Sequence, residues 1–244
     1  ILCFHGYAED GRVYSFLEEK AGDQFSFYAI DLPFHGQTQW KESTPFHPVD
    51  LVAICDLIIQ DRSIKFGIMG FSLGGRIALG LFERIPDRVQ QLLLMAPDGL
   101  KVNFWYWLST QTYLGNQIFA VSMRRPAWFF ALLKLGNKLG LVNASIFKFV
   151  NYYIGNPRAR ESLYQRWTGL KNFRPDLSKV KNHILRHGVK TELLYGRHDR
   201  IILPGRGQKF KKRIGELCNI SIIDSGHQVL HLNHVKDLLK ALRG

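Results

Sequence analysis

Cysteine is scarce in this sequence: only Cys3, Cys55 and Cys218 occur in 244 residues. So small and odd a number excludes the disulfide framework typical of small secreted domains. We therefore expect free thiols and a reducing compartment, which favours a cytoplasmic protein. Long apolar runs are also missing, since none approaches the roughly 18 residues of a membrane-spanning helix. The domain is not expected to be an integral membrane protein.

Acidic residues are outnumbered, at 20 Asp and Glu against 33 Lys and Arg, which gives a formal net charge of +13. Such an excess calls for an anionic partner or for a locally basic surface. No recognition motif of a nucleic-acid-binding protein accompanies the charge, and the nine histidines lack the paired spacing of metal ligands. We therefore expect neither a nucleic-acid partner nor a metal, and no cofactor.

Short apolar runs alternate with segments of helical period, which predicts an α/β fold with a mostly parallel sheet covered by helices on both faces. The predicted strands are residues 1–4, 25–30, 64–69, 91–95, 192–195 and 219–223. The predicted helices between them are residues 48–60, 73–84, 209–214 and 234–242.

The alternation stops over residues 101–174, where the pattern is helical throughout. This segment contains eleven Lys and Arg but only one acidic residue, Glu161, so it carries +10 of the net charge. It also holds 16 of the 31 aromatic residues. We expect a helical insertion at 101–174 in a core formed by residues 1–100 and 175–244.

The sequence GFSLGG at positions 70–75 lies between a predicted strand and a predicted helix. This is the setting of a nucleophile elbow, a strand-to-helix turn that exposes a serine hydroxyl. Small residues at Gly70 and Gly74 permit the close approach that the turn requires. The pattern indicates Ser72 as a nucleophile, with the Leu73 N–H at the helix start placed to stabilise negative charge.

A serine nucleophile needs a base, and His227 is the strongest of the histidines because it follows the last predicted strand. His231 and His234 have the pattern of ordinary loop or helix-surface residues. The carboxylate that orients the base is predicted to be Asp199, after the strand at 192–195, with Asp98 as its rival. Both aspartates follow strands, and ligands bind at the carboxyl ends of strands in open α/β sheets.

Five motifs occur together and in a fixed order: HGY at 5–7, DLPFHG at 31–36, GFSLGG at 70–75, GRHDRIILP at 196–204 and SGH at 225–227. In this set the chain resembles the α/β-hydrolase superfamily. The resemblance implies Ser72 as nucleophile, His227 as base and Asp199 as acid. It also implies an oxyanion hole formed by the backbone N–H groups of Tyr7 and Leu73, and a cap formed by the insertion.

The sequence departs from this family at two points. Members usually carry two strands before the HG turn, so we expect that strands preceding Ile1 are missing from this sequence. The usual glycine of the second motif is Phe34 here, which predicts a reshaped loop without a chemical role.

A serine at position 72 disfavours the relatives that use aspartate there, and it implies hydrolysis of a carboxylic ester or thioester through an acyl-enzyme. The aromatic, cationic insertion suggests a small-molecule substrate with an apolar acyl chain, or contact with an anionic membrane surface. Two alternatives stay open. The same three residues can serve a carbon–carbon bond hydrolase or lyase, or the protein can be a receptor without catalysis.

Overall fold

The computed structural model describes residues 1–101, 103–138 and 154–243. The chain forms two compact units, which we call the sheet unit and the helical unit. The sheet unit comprises Ile1–Trp40, Phe46–Lys101 and Asn172–Gly244, and the helical unit comprises Lys41–Pro45 and Val102–Lys171. That the helical unit caps an active site stays a prediction. Residues 139–153 lie outside the described part of the chain. They include Lys148, one of the eleven basic residues of the predicted insertion, and four of its aromatic residues.

A six-stranded sheet forms the centre of the sheet unit, and all its neighbouring strands are parallel. The order across the sheet is β2-β1-β3-β4-β5-β6. In chain order the strands are β1 (Leu2–Phe4), β2 (Tyr28–Ile30), β3 (Phe66–Phe71), β4 (Val89–Met95), β5 (Lys190–Gly196) and β6 (Cys218–Ile223). This arrangement confirms the predicted parallel α/β architecture.

The helices that accompany the sheet lie on both of its faces, and the alternation of side chains along the strands explains this. They are α1 (Ser15–Ala21), α2 (Pro48–Ile58), α3 (Leu73–Arg84), α8 (Leu177–His187), α9 (Gly205–Lys211) and α10 (Val235–Arg243). On one face, Met69 and Leu93 belong to a buried cluster with Leu17 of α1 and Leu238 of α10. On the other face, α3 packs on β1, β3 and β4, and α2 and α8 pack on α3.

The helical unit is built from α4 (Phe104–Gln111), α5 (Tyr113–Arg124), α6 (Ala127–Lys138) and α7 (Pro157–Gly169), counting only helices within the described ranges. Side-chain caps begin three of them: Asn103, Thr112 and Asn156 accept backbone N–H groups at the starts of α4, α5 and α7. Phe119 of α5 packs against the Trp167 ring of α7, at 5.5 Å between ring centroids. Aromatic packing therefore joins α5 to α7.

Several boundaries differ from those predicted. The strand predicted at 25–30 begins only at Tyr28, and the helix predicted at 209–214 lies at Gly205–Lys211. Helix α9 starts among glycines, which the pattern disfavoured. A Cβ on Gly207 would lie 2.8 Å from the Tyr195 ring, which explains why glycine occupies this position. Helices α1 and α8 were not predicted. None of the helices in the described part of the chain has both the length and the apolar content needed to cross a lipid bilayer.

Candidate active site

The turn between β3 and α3 holds Ser72 in a conformation that L-residues rarely adopt, with φ 49° and ψ −113°. Strain of this kind costs about 1–3 kcal/mol and persists only where the surrounding structure enforces it. Ser72 occupies the N-cap of α3, where serine normally bonds to its own helix. Here its side chain makes no capping bond. The hydroxyl is therefore available to another partner.

Glycines on both sides of Ser72 make the turn sterically feasible. A Cβ on Gly70 would lie 2.5 Å from the Gly74 carbonyl oxygen, and one on Gly75 would lie 2.5 Å from the Pro97 side chain. A Cβ on Gly74 would overlap the Phe4 carbonyl at the end of β1. The turn thus packs backbone against backbone on two sides, which only glycine permits.

His227 and Asp199 meet Ser72 in a continuous chain of hydrogen bonds. The Ser72 Oγ lies 3.0 Å from His227 Nε2, and His227 Nδ1 lies 2.7 Å from Asp199 Oδ2. An ionised carboxylate can only accept, so Nδ1 carries the proton and Nε2 accepts from the serine hydroxyl. The imidazole ring also packs against Phe71, the last residue of β3, at 5.4 Å between centroids.

Asp199 is held on several sides, and its side chain is fully buried. Its Oδ1 accepts the backbone N–H groups of Ile201 and Ile202 at 2.7 and 2.9 Å, which leaves Oδ2 for His227. Three donors therefore fix the carboxylate in position. This is the geometry expected of a residue that orients an imidazole.

The rival residues named from the sequence have other contacts. Asp98 accepts the Gly99 N–H at 2.8 Å and lies 3.5 Å from the Arg76 guanidinium, so it shapes the turn after β4. His231 accepts the Asn233 N–H at the start of a 3-10 helix that also contains His234. The structure brings Asp199 to His227 and places Asp98 with Arg76.

Backbone bonds join the loop that carries Asp199 to the loop that carries His227. The Arg197 N–H donates to the Ile223 carbonyl at 2.8 Å, and the His198 N–H donates to the Ser225 carbonyl at 2.9 Å. A Cβ on Gly196 would overlap the Gly226 carbonyl, so these loops touch through their backbones. The loops of Asp199 and His227 are thus held together independently of the contact between these two side chains.

A carboxylate that sequence reasoning missed, Glu9, bridges two other loops. Its Oε2 accepts the Gly6 N–H at 2.9 Å, and its Oε1 accepts from the Gln228 amide at 3.0 Å. Gly6 precedes Tyr7, the predicted oxyanion donor, and Gln228 follows His227. Glu9 therefore links the turn after β1 to the loop of His227. Its position three residues after the HG pair was the only sequence signal.

The sequence pattern of the α/β hydrolase fold family matches residues 1–233. The chain belongs to this family. Pimeloyl-(acyl-carrier protein) methyl ester esterase of Chromobacterium violaceum is 24% identical over 255 aligned positions, which cover 99% of this chain and 92% of that protein. The enzyme of the same name from Vibrio campbellii is 32% identical over 96 residues, 39% of this chain and 36% of that relative.

Solved structures show the same fold. A thermophilic esterase from Thermogutta terrifontis, with malate bound, has a TM-score of 0.67 at 20% identity, covering 99% of this chain and 88% of that one. The fold of this α/β hydrolase, predicted from five short motifs, is therefore confirmed. The alignment with the Vibrio relative spans about a third of that protein, whereas the Chromobacterium alignment spans nearly all of it.

His5 fixes the turn after β1 in this α/β hydrolase through its neutral ring. The ring is fully buried. Its Nε2 accepts the Leu32 N–H at 3.1 Å, and its Nδ1 lies 2.8 Å from the Gly6 carbonyl, which can only accept. Nδ1 therefore carries the single proton. Burial lowers the pKa of His5 below its ordinary value, so the ring stays neutral near pH 7.

Phe34 keeps a glycine-type backbone at the position where the family resemblance leads one to expect glycine. Its φ is 66°, in the left-handed region that phenylalanine rarely occupies. Phe34 therefore has a backbone conformation that glycine favours while it carries an aromatic side chain. That the loop is reshaped relative to other family members stays a prediction.

The three cysteines are free and buried. Burial raises the pKa of each thiol to about 12. A protonated, inaccessible thiol is a poor nucleophile. Within the described ranges, no group of three His, Cys, Asp or Glu side chains is placed to hold a metal ion.

Proposed function

We propose that this α/β hydrolase is a serine hydrolase that cleaves a carboxylic ester or thioester through an acyl-enzyme intermediate. One observation carries the proposal: Ser72 Oγ, His227 and the buried Asp199 form an unbroken chain, with links of 3.0 and 2.7 Å. Each contact has the length and direction needed to activate a serine hydroxyl. The strained backbone at Ser72, which frees the hydroxyl from capping, supports the same role.

In the first step, Ser72 Oγ attacks the substrate carbonyl and its proton passes to His227 Nε2. Asp199 accepts the Nδ1–H and stabilises the imidazolium. The carbonyl oxygen becomes an oxyanion, which the N–H groups of Leu73 and Tyr7 would stabilise. Leu73 is the first residue of α3, and Tyr7 follows β1, which pairs with β3 next to the turn.

The second step releases the alcohol or thiol, which takes its proton from His227, and leaves the acyl group on Ser72. Water then gives a proton to His227 and attacks the acyl carbonyl. Collapse of the second tetrahedral intermediate returns the proton to Ser72 Oγ and releases the carboxylic acid. Ser72 and His227 therefore serve in both halves of the reaction.

The chemical class of the substrate follows from two lines of support. A serine nucleophile with an imidazole base suits acyl transfer to water. Two of the sequence relatives are described as esterases for the methyl ester of an acyl chain on a carrier protein. We therefore propose an ester, or the related thioester, of an acyl chain. The 16 aromatic residues of segment 101–174 support an acyl chain with apolar character.

Labelling with a fluorophosphonate tests the nucleophile. The expected result is one stoichiometric adduct, mapped by peptide mass spectrometry to Ser72 and absent from Ser72→Ala. Ser178→Ala, which removes an exposed hydroxyl from the start of α8, is the matched control and should label normally. Protein that stays unlabelled, or carries its adduct on another serine, contradicts the proposal.

A graded series of p-nitrophenyl esters tests the acyl preference. We expect kcat/KM to rise from acetyl to medium-length chains, because each buried methylene contributes about 0.8 kcal/mol. Ser72→Ala provides the background rate. If the acetyl ester is hydrolysed faster than every longer ester, the apolar acyl site is wrong even though the serine mechanism stands.

A further inference from the structure

Helices α5 and α6 each expose an apolar stripe at helical spacing. On α5 the stripe is Leu114, Ile118 and Val121, whose exposed fractions are 69, 48 and 49%. On α6 it is Trp128, Leu132 and Leu135, at 39, 57 and 53%. Residues spaced by three or four lie on one face of a helix, so each set forms a continuous line.

Among the described residues of the helical unit, α5 and α6 pack through faces other than these stripes. The opposite side of α5 carries Phe119 and Met123, and α6 carries Leu133; all three are buried. The helical unit therefore already has an interior built from other residues. Soluble domains seldom expose contiguous apolar surface of this kind unless it contacts a partner or a membrane.

The charges on this segment have one sign. Residues 101–138 contain five Lys and Arg and no Asp or Glu. Arg124 is the last residue of α5 and Arg125 is its C-cap, while Lys134 and Lys138 lie on α6, and all four are exposed. An apolar line bordered by cations is typical of helices that lie in the interface of an anionic bilayer.

We propose that the two apolar stripes face one side together and that this α5–α6 surface, completed by the four cations Arg124, Arg125, Lys134 and Lys138, docks on an anionic lipid bilayer. A second copy of the chain fits this surface poorly, because two faces with the same positive charge would repel each other. Trp128 adds an indole ring, which favours the boundary between lipid tails and water. The proposal does not depend on the proposed catalytic activity.

Vesicle flotation measures this directly. The intact chain should float with vesicles of phosphatidylcholine containing 30% phosphatidylglycerol and stay in solution with pure phosphatidylcholine. Raising the salt concentration should release it, because surface charges are screened. On binding, tryptophan fluorescence should shift to shorter wavelength, and brominated lipids should quench it less in Trp128→Phe.

Two variants separate the apolar and electrostatic contributions. Ile118→Gln/Leu132→Gln should weaken partitioning at least tenfold. Arg124→Gln/Arg125→Gln should weaken it about 30-fold, from roughly fivefold for each charge. The matched controls remove the same groups from the sheet unit, namely Leu57→Gln/Leu185→Gln and Lys236→Gln/Lys240→Gln, all at exposed positions. Both controls should partition nearly as the parent does.

Three results would overturn the proposal. The first is failure of the parent chain to float with anionic vesicles. The second is equal loss in Lys236→Gln/Lys240→Gln and in Arg124→Gln/Arg125→Gln, which would mean that net charge, and not this surface, drives binding. The third is a dimer in sedimentation equilibrium that Ile118→Gln/Leu132→Gln abolishes while the parent does not bind vesicles, which would make the surface a self-association interface. Circular dichroism and thermal unfolding confirm that each variant is folded.

Discussion

The sheet unit and the helical unit differ in how their apolar side chains are arranged. In the sheet unit, apolar side chains are buried between a parallel sheet and its helices, and polar groups at the strand ends are tied by hydrogen bonds. In the helical unit, large apolar side chains of α5 and α6 lie at the surface. The sheet unit thus fixes the polar groups at its strand ends, whereas α5 and α6 of the helical unit align exposed apolar side chains in stripes.

Charge follows the same division. Residues 101–174 carry eleven basic residues and one acidic residue, whereas the rest of the chain carries 22 and 19. The net charge of +13 is therefore largely a property of one segment. A balanced body with a basic insertion is the distribution expected when solubility and contact with an anionic surface are assigned to different parts of a chain.

The largest expected effect belongs to the sheet unit. Asp199→Asn keeps the size of the side chain but removes the charge that orients His227, so kcat/KM for a p-nitrophenyl ester should fall about 10³- to 10⁴-fold. Asp98→Asn, which alters the turn with Arg76, should change it less than fivefold. A larger loss for Asp98→Asn than for Asp199→Asn would reverse the assignment of the acid. Thermal unfolding of both variants controls for misfolding.

A pair of glycine substitutions sharpens the comparison through stability. Gly74→Ala places a methyl group against the Phe4 carbonyl, so the unfolding free energy should fall by about 3 kcal/mol or more, as for other forced overlaps in packed regions. Gly155→Ala, in the helical unit, meets no atom within 4 Å and should change it by less than about 0.5 kcal/mol. Urea unfolding measures both values. Similar losses at both positions would remove the contrast between the units.

A smaller effect is expected at Glu9, which links the turn after β1 to the loop of His227. Glu9→Gln weakens one of its two bonds, so kcat should fall about tenfold, equivalent to about 1.4 kcal/mol, with KM little changed. Gln228→Ala should act in the same direction, and the double variant should lose less than the two effects combined. Glu19→Gln, at an exposed position of α1, is the control. A rise in KM at constant kcat would assign Glu9 to substrate binding instead.

Much of this site was predictable because its residues follow strands. The turn at Ser72 was encoded by flanking glycines, and Asp199 and His227 each follow an apolar run that ends in a small or polar residue. Parallel strands bring such ends to one edge of the sheet. Their separation in sequence, 155 residues between Ser72 and His227, therefore did not hide their proximity.

What could not be predicted includes side-chain contacts between residues distant in the sequence and elements too short to show a pattern. The bond of Glu9 to Gln228 joins residues 219 positions apart, and no periodic pattern records it. Helix α1 has seven residues, too few to show a period. Helix α8, by contrast, had readable signals: Asp176 at its N-cap, buried Val180 and Ile184 four residues apart, and Gly188 in the left-handed conformation at its end.

The smallest expected effect concerns the pH dependence of stability, and it arises at His5. Burial lowers the pKa of His5 in the folded protein, so between that value and the ordinary pKa near 6.5 the unfolded chain binds more protons. Stability from the neutral ring is therefore complete above about pH 6.5 and falls as the pH drops toward the folded pKa. Below that pKa both states are protonated and this dependence ends.

His5→Asn removes the titrating ring and should flatten this dependence between pH 6.5 and 5, at the cost of lower stability at pH 7 because the Leu32 N–H loses its partner. Urea unfolding at a series of pH values measures the slope. His187→Asn, at the exposed end of α8, is the control and should keep the slope of the parent. An unchanged slope in His5→Asn would mean that other groups carry the acid sensitivity. A flattened slope would assign the acid sensitivity to the buried imidazole of His5, which joins the turn after β1 to the loop after β2.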